Sequence, residues 1–224
     1  MKSSNAWMCG IGCGIGLFAC ALLSAVPSRA DAPAASAQDP SQVVKSVAQS
    51  FLKDLDAHRA EYSKNPGLLR QAVDRDVVPY FDVQYAARLV LGRFARTATP
   101  QQLQDFIKAF ENSMFANYGN ALLGFQSNRL QVLPTRGAPN PKGTLVRTVI
   151  RRDDGSTVSV NFQLHETPEG WKAWDVIVEG ISYVKSFRDD FGAEIEQQGL
   201  DTVIQRLQRG EKPANLPNPG SKAS

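Results

Sequence analysis

Few side chains in this 224-residue chain are of a type and spacing that could do chemistry. Asp175 stands in "WKAWDVIVEG", between Ala173 and Ile177. A charge on such an apolar strand needs a partner, so a structural ion pair, with Arg188 as a candidate, competes with a general base. Ser182 follows Gly180-Ile181 without a G-x-S-x-G elbow, and its position suits a helix N-cap better than a nucleophile. His58 and His165 each lack a second histidine or a cysteine at metal-ligand spacing, which leaves them structural or surface roles. Asp153-Asp154 belongs to a turn and Asp189-Asp190 to a solvated helix face. No phosphate-cradling glycine loop follows a strand after residue 30. These residues predict no enzyme, no metal and no cofactor.

The elements that would position them fall into a helical half and a strand-rich half. Asp39-Pro40 pairs an N-cap with a first-turn proline, and Val44, Val47, Phe51, Leu55 and His58 recur at three- and four-residue spacing. A short helix is expected over Leu68 to Asp76, and another from an Asp82 cap through Val90, ending at Gly92. "TPQQ", with Thr99 three residues before Gln102, is a capping box that opens the longest helix, roughly residues 100–123. Period-two patterning then marks strands at Leu130–Val132, Val146–Arg151, Val158–Leu164 and Trp171–Glu179, with "DDG" and "ETPEG" as turns. On the last strand, alternation places Trp174, Val176 and Val178 on one face. Helices follow at roughly 182–198 and 200–209. The expected fold is α+β: helices packed on a curved, mainly antiparallel sheet of about four strands, cone-like, with a helical subdomain.

Residues 1–30 run from Lys2 through a long apolar stretch to "SRA", the order of a secretory signal peptide cut before Asp31. All three cysteines, Cys9, Cys13 and Cys20, lie there, so the expected mature chain needs no disulfide in an oxidising compartment. Its loss also removes Lys2 and Arg29, taking the formal charge from +3 to +1, which argues against a nucleic-acid binder. Residues 31–39 read as a linker, 40–209 as one α+β domain and 210–224 as a disordered tail.

Against this sparse chemistry stands a rich apolar inventory. Val184, Phe187, Phe191 and Ile195 form one face of the helix after Gly180. Periodicity alone does not separate a filled core from a lined cavity. The stretch "WDVIVEGISYVKSFRDDF" resembles the late signature of the MlaC (toluene-tolerance) family of periplasmic lipid-binding proteins. Residues 79–125 resemble its helical core through Phe81-Asp82, Leu91-Gly92, Thr99-Pro100-Gln101, Phe106, Phe110 and Tyr118. The resemblance covers about residues 43–208 and departs at Phe94 and at Ser186-Phe187, where tryptophan and asparagine-tyrosine are common. It implies a periplasmic carrier that holds phospholipid tails between helices and a twisted sheet. The implied partners are an inner-membrane lipid transporter complex and an outer-membrane lipoprotein–porin complex. The implied lining draws on Phe106, Phe110, Met114, Val149, Phe162, Trp174, Val176, Val178, Tyr183, Val184, Phe187 and Phe191. Two other classes stay open: a small pocket enzyme of the cone-shaped type using Asp175 or His165, and a periplasmic interaction module with a filled core.

Overall fold

The computed structural model describes residues 38–152 and 154–211. The expected signal peptide, nearly all of the linker, the tail beyond Glu211, and Asp153 lie outside them. The helices are α1 (Pro40–Lys64), α2 (Pro66–Asp76), α3 (Val83–Leu91), α4 (Pro100–Tyr118), α5 (Tyr183–Gln198) and α6 (Leu200–Gln208). Their starts follow local rules. Asp39 accepts from the Ser41 amide ahead of Pro40, and Asp82 from the Tyr85 amide. Thr99 and Gln102 satisfy each other's backbone amides as the reciprocal capping box. The longest helix is α1 rather than α4. α4 stops at Tyr118, whose φ of −121° leaves the helical range, and gives way to a 3-10 segment, Gly119–Gly124, where the Phe115 ring packs closely over Gly119.

The sheet holds six strands rather than about four: β1 (Leu130–Val132), β2 (Thr144–Val146), β3 (Thr148–Arg151), β4 (Thr157–Thr167), β5 (Gly170–Val178) and β6 (Ile181–Ser182). Two of the extra elements arise locally. The expected second strand is interrupted at Arg147, whose carbonyl accepts from Leu133 beyond the end of β1. The chain also doubles back after Val178 through Glu179 (φ 50°) and Gly180 (φ 83°), the paired positive angles that a two-residue hairpin needs, to form β6. All strand pairings are antiparallel.

The core divides into three clusters. Ala87, Val90, Phe106, Phe110, Phe187, Phe191 and Val203 close a core made only of α3–α6. Phe51, Leu55, Tyr62 and Leu69 hold α1 against α2. Val43, with Val44 and Val47, lays the start of α1 on Val146, Leu164, Trp171 and Ala173 of the sheet.

Candidate functional site

Strand register decides which residues meet. Val160 pairs with Val178, and Phe162 with Val176, but Leu164 pairs with Ala173, so the register slips by one residue between Gln163 and Leu164. Residues 160, 162 and 164 of β4 share a face, and so therefore do Val178, Val176 and Ala173. Trp174 is the extra residue of the bulge. Its ring meets Tyr85 edge-on at 5.7 Å, and Tyr85 in turn meets His165 at 4.7 Å, on the side opposite Leu164. The expectation that Trp174 shares a face with Val176 and Val178 is thus corrected, because one inserted residue flips every side chain on one side of it.

The face of Phe162, Val176 and Val178 is apolar apart from Thr144, Thr148 and Glu166, and is unevenly covered. At one end α1 buries Val146 (0 % exposed) and Leu164 (1 %). Toward the other end Leu130, Ile150, Val158, Val160, Phe162, Val176 and Val178 are all only half-buried. Leu130 joins this strip to a margin of partly buried groups beside the α1–α2 cluster, Phe115, Leu122, Leu123 and Phe125. Partial exposure of seven such side chains leaves on the order of 250 Å² of contiguous apolar surface wet, worth ~6 kcal/mol once covered. Leu130, Ile150, Val158 and Val160 were absent from the expected lining, although the period-two pattern that places them is plain in the sequence.

The other expected lining residues separate by location. Phe106, Phe110, Phe187 and Phe191 lie in the helical core, where their rings pack stacked or edge-on at 5.2–6.1 Å. Met114, Tyr183 and Val184 sit partly buried at the margin of that core. Val149 pairs with Ser159 and so points to the opposite face from Phe162. Tyr118 faces Tyr183 edge-on at 6.3 Å, and burial pushes its hydroxyl up to about 12, with the neighbouring Tyr183 and Asp190 adding to the shift. Burial raises Tyr183 as well.

The two candidates for chemistry are held by structural contacts. Asp175, 3 % exposed, accepts from the Ser182 hydroxyl at 2.5 Å and the Val184 amide at 3.0 Å. Ser182 also caps α5 by accepting from the Lys185 amide at 3.0 Å. The buried carboxylate is therefore stabilised by a hydroxyl and a helix N-terminus, not by the expected Arg188. Arg188 lies instead across Gly92, its Nε 2.9 Å from where a Cβ would stand. His165 Nε2 lies 3.0 Å from Asp82 Oδ2 on the Trp174 side of the sheet, away from the apolar strip. His58 meets Asp54 at 3.1 Å on the exposed side of α1. Among the described residues no group of three or more histidine, cysteine or acidic side chains is placed to hold a metal ion.

The MlaC protein family model matches residues 45–209, which takes in α2–α6, the whole sheet and most of α1. The chain belongs to the MlaC family. Toluene tolerance protein ttg2D of Pseudomonas putida is 32% identical over 167 residues, covering 74% of this chain and 77% of that one. The intermembrane phospholipid transport system binding protein MlaC of Haemophilus influenzae is 22% identical over 173 residues, covering 76% and 81%. A solved phospholipid-binding protein from Ralstonia solanacearum, in complex with a phospholipid, shares the fold at a TM-score of 0.71 and 24% identity, covering 77% of this chain and 96% of that one. The arrangement of helices around an antiparallel sheet is thus that of an MlaC-like fold. Within this MlaC-family chain the apolar strip lies on the sheet face that α1 only partly covers.

Proposed function

We propose that this chain is a phospholipid carrier that seats acyl chains on the half-open apolar strip and moves them between membranes through the periplasm. The carrying observation is the uneven cover of one sheet face: closed by α1 at Leu164, half-open from Leu130 to Val178. The seven partly exposed aliphatic and aromatic residues lie side by side as one contiguous strip. An acyl chain of about a dozen methylenes left unshielded in water costs on the order of 10 kcal/mol, and this strip with the Phe115–Phe125 margin offers walls of matching chemistry. Family membership supports the same reading, as do a relative named for intermembrane phospholipid transport and a neighbour holding a phospholipid.

Within this reading Phe162, Val176 and Val178, with Leu130, Ile150, Val158 and Val160, touch the tails directly. Phe106, Phe110, Phe187 and Phe191, with Met114, Tyr183 and Val184 at their margin, belong to the helical core rather than to the strip. Catalysis is not part of the function. Asp175 and His165 are structural, the first joining the β5–β6 hairpin to α5 and the second joining the sheet to the cap of α3. The partners are an inner-membrane lipid transporter complex and an outer-membrane lipoprotein–porin complex. The chain reaches the periplasm by a signal peptide cut before Asp31. Among the described residues no helix is long and apolar enough to cross a membrane.

The test is extraction of the exported, purified protein with organic solvent, followed by mass spectrometry and N-terminal sequencing. Phospholipid in stoichiometric amount and a chain beginning at Asp31 are expected. An empty extract would sink the carrier reading, and retention of Met1 in a membrane fraction would sink the localisation.

A further inference from the structure

The opposite face of the sheet has a different chemistry. The odd-numbered positions of β1–β4 point to it, as the antiparallel register requires. On β4 these are the polar Thr157, Ser159, Asn161, Gln163, His165 and Thr167; β2 and β3 add apolar Leu145 and Val149 and the cation Arg151, with Arg147 at the break between the two strands. None of the odd positions on these four strands is acidic. The helices that pack on the sheet do not cover this region: α1 lies on the apolar face, and α3 and α5 run along β5.

Four further observations describe a binding surface. Leu145 is 41% and Tyr85 39% exposed, two of the large apolar side chains most open to solvent, and Tyr85 rests on His165 at the border of this face. A recess of about 390 Å³ is lined by Leu145 and Arg147 together with Arg136 and Asn140. Arg147 is steadied by donating to the Pro134 carbonyl at 3.3 Å, while Arg151 is exposed at the end of β3. The area is about 14 Å across three strand positions, since β2 and β3 lie end to end along the same side of β4, by about 25 Å along them, on the order of 350 Å² and nearly half of one side of a standard protein interface.

The residue types select the occupant. Protein interfaces enrich arginine and tyrosine and deplete lysine and carboxylates, as this face does. Arginine forks bind carboxylates in a fixed bidentate geometry. No tryptophan or phenylalanine projects from the odd positions of β1–β4 to insert into a bilayer. A second copy would set arginine against arginine, which like charges disfavour. We infer that this face docks a protein partner through an acidic patch, with two of the partner's carboxylates, about 13 Å apart, seated on Arg147 and Arg151. The partner's identity rests on the carrier reading. For a lipid carrier it is a complex that donates or accepts lipid, met while the tails stay shielded on the far face of the sheet.

The probes are the inner-membrane transporter complex and the outer-membrane lipoprotein–porin complex, each purified in detergent, and vesicles of phosphatidylglycerol. Binding of the wild-type protein and of the Arg147→Glu/Arg151→Glu variant is measured at about 50 and about 200 mM salt, with phospholipid content assayed on the same preparations. The wild type is expected to bind at least one complex, more weakly at the higher salt, and the variant about tenfold or more weakly still, with phospholipid content unchanged. The pair Arg147→Ala/Arg151→Ala replaces the glutamate variant if that one misfolds, with a loss of the same sign. Equal binding by variant and wild type overturns the inference. So does wild-type binding to neither complex, in which case retained phospholipid leaves the carrier reading standing and a lipid-free protein removes both. Wild-type binding to the vesicles that the variant loses, with binding to the complexes unaffected, assigns the face to a membrane surface instead.

Discussion

A glutamate placed at Val178 and one placed at Leu164 should have opposite consequences, although both positions lie on the same sheet face. Leu164 is 1% exposed under α1. Leu164→Glu forfeits ~2–3 kcal/mol of apolar burial and strands a carboxylate with no partner, adding several kcal/mol. The total is on the order of the whole stability of a domain this size, so insoluble or unfolded protein is expected. Val178 is half-buried in the open part of the strip. There the substitution loses ~1 kcal/mol of partial burial, and the carboxylate keeps its water once the tails have gone. The melting midpoint should fall by only about 2–4 °C, while phospholipid content drops to near zero because the charge faces the tails. Circular dichroism and lipid mass spectrometry on the same preparations read both quantities. If Val178→Glu unfolds the protein as Leu164→Glu does, the strip is ordinary core. If it folds and keeps its full lipid complement, the tails lie elsewhere.

Asp175→Ala should cost about 2–4 kcal/mol, because the Ser182 hydroxyl and Val184 amide both lose a buried acceptor; an unchanged urea midpoint would contradict that role. Gly92→Ala should destabilise by ~1–2 kcal/mol, since φ is +54° and the new Cβ would press on Arg188, and a neutral result in thermal melts would show that both can relax. The folded Tyr118 hydroxyl ionises at about 12 against an ordinary value of 10.0, so its contribution is complete below about pH 10 and is lost as pH rises toward about 12. Comparing the midpoint slopes of wild type and Tyr118→Phe between about pH 9 and 11 checks this, the variant being expected to show the shallower alkaline decline.

The sequence by itself determined what depends on near neighbours. Helix starts at Pro40, Val83 and Pro100 follow from Asp39, Asp82 and the Thr99–Gln102 pair, because a cap satisfies amides two or three residues away. The Ser182 cap of α5 was legible for the same reason, and the α+β class and family membership followed from the order of elements and motifs. Tertiary structure alone decided which apolar residues are core and which are lining. Phe106 and Val178 look alike in a periodic pattern, yet one is sealed among four helices and the other left half-open, since cover comes from elements far away in the chain. The one-residue slip between Gln163 and Leu164 is likewise silent in the sequence. It depends on the pairing of β4 with β5, and it sends Trp174 to one face while Val176 and Val178 keep the other. The partner of Asp175 was hidden by the same logic: a hairpin return and a helix start converge on it in space, whereas Arg188 had been only a candidate partner.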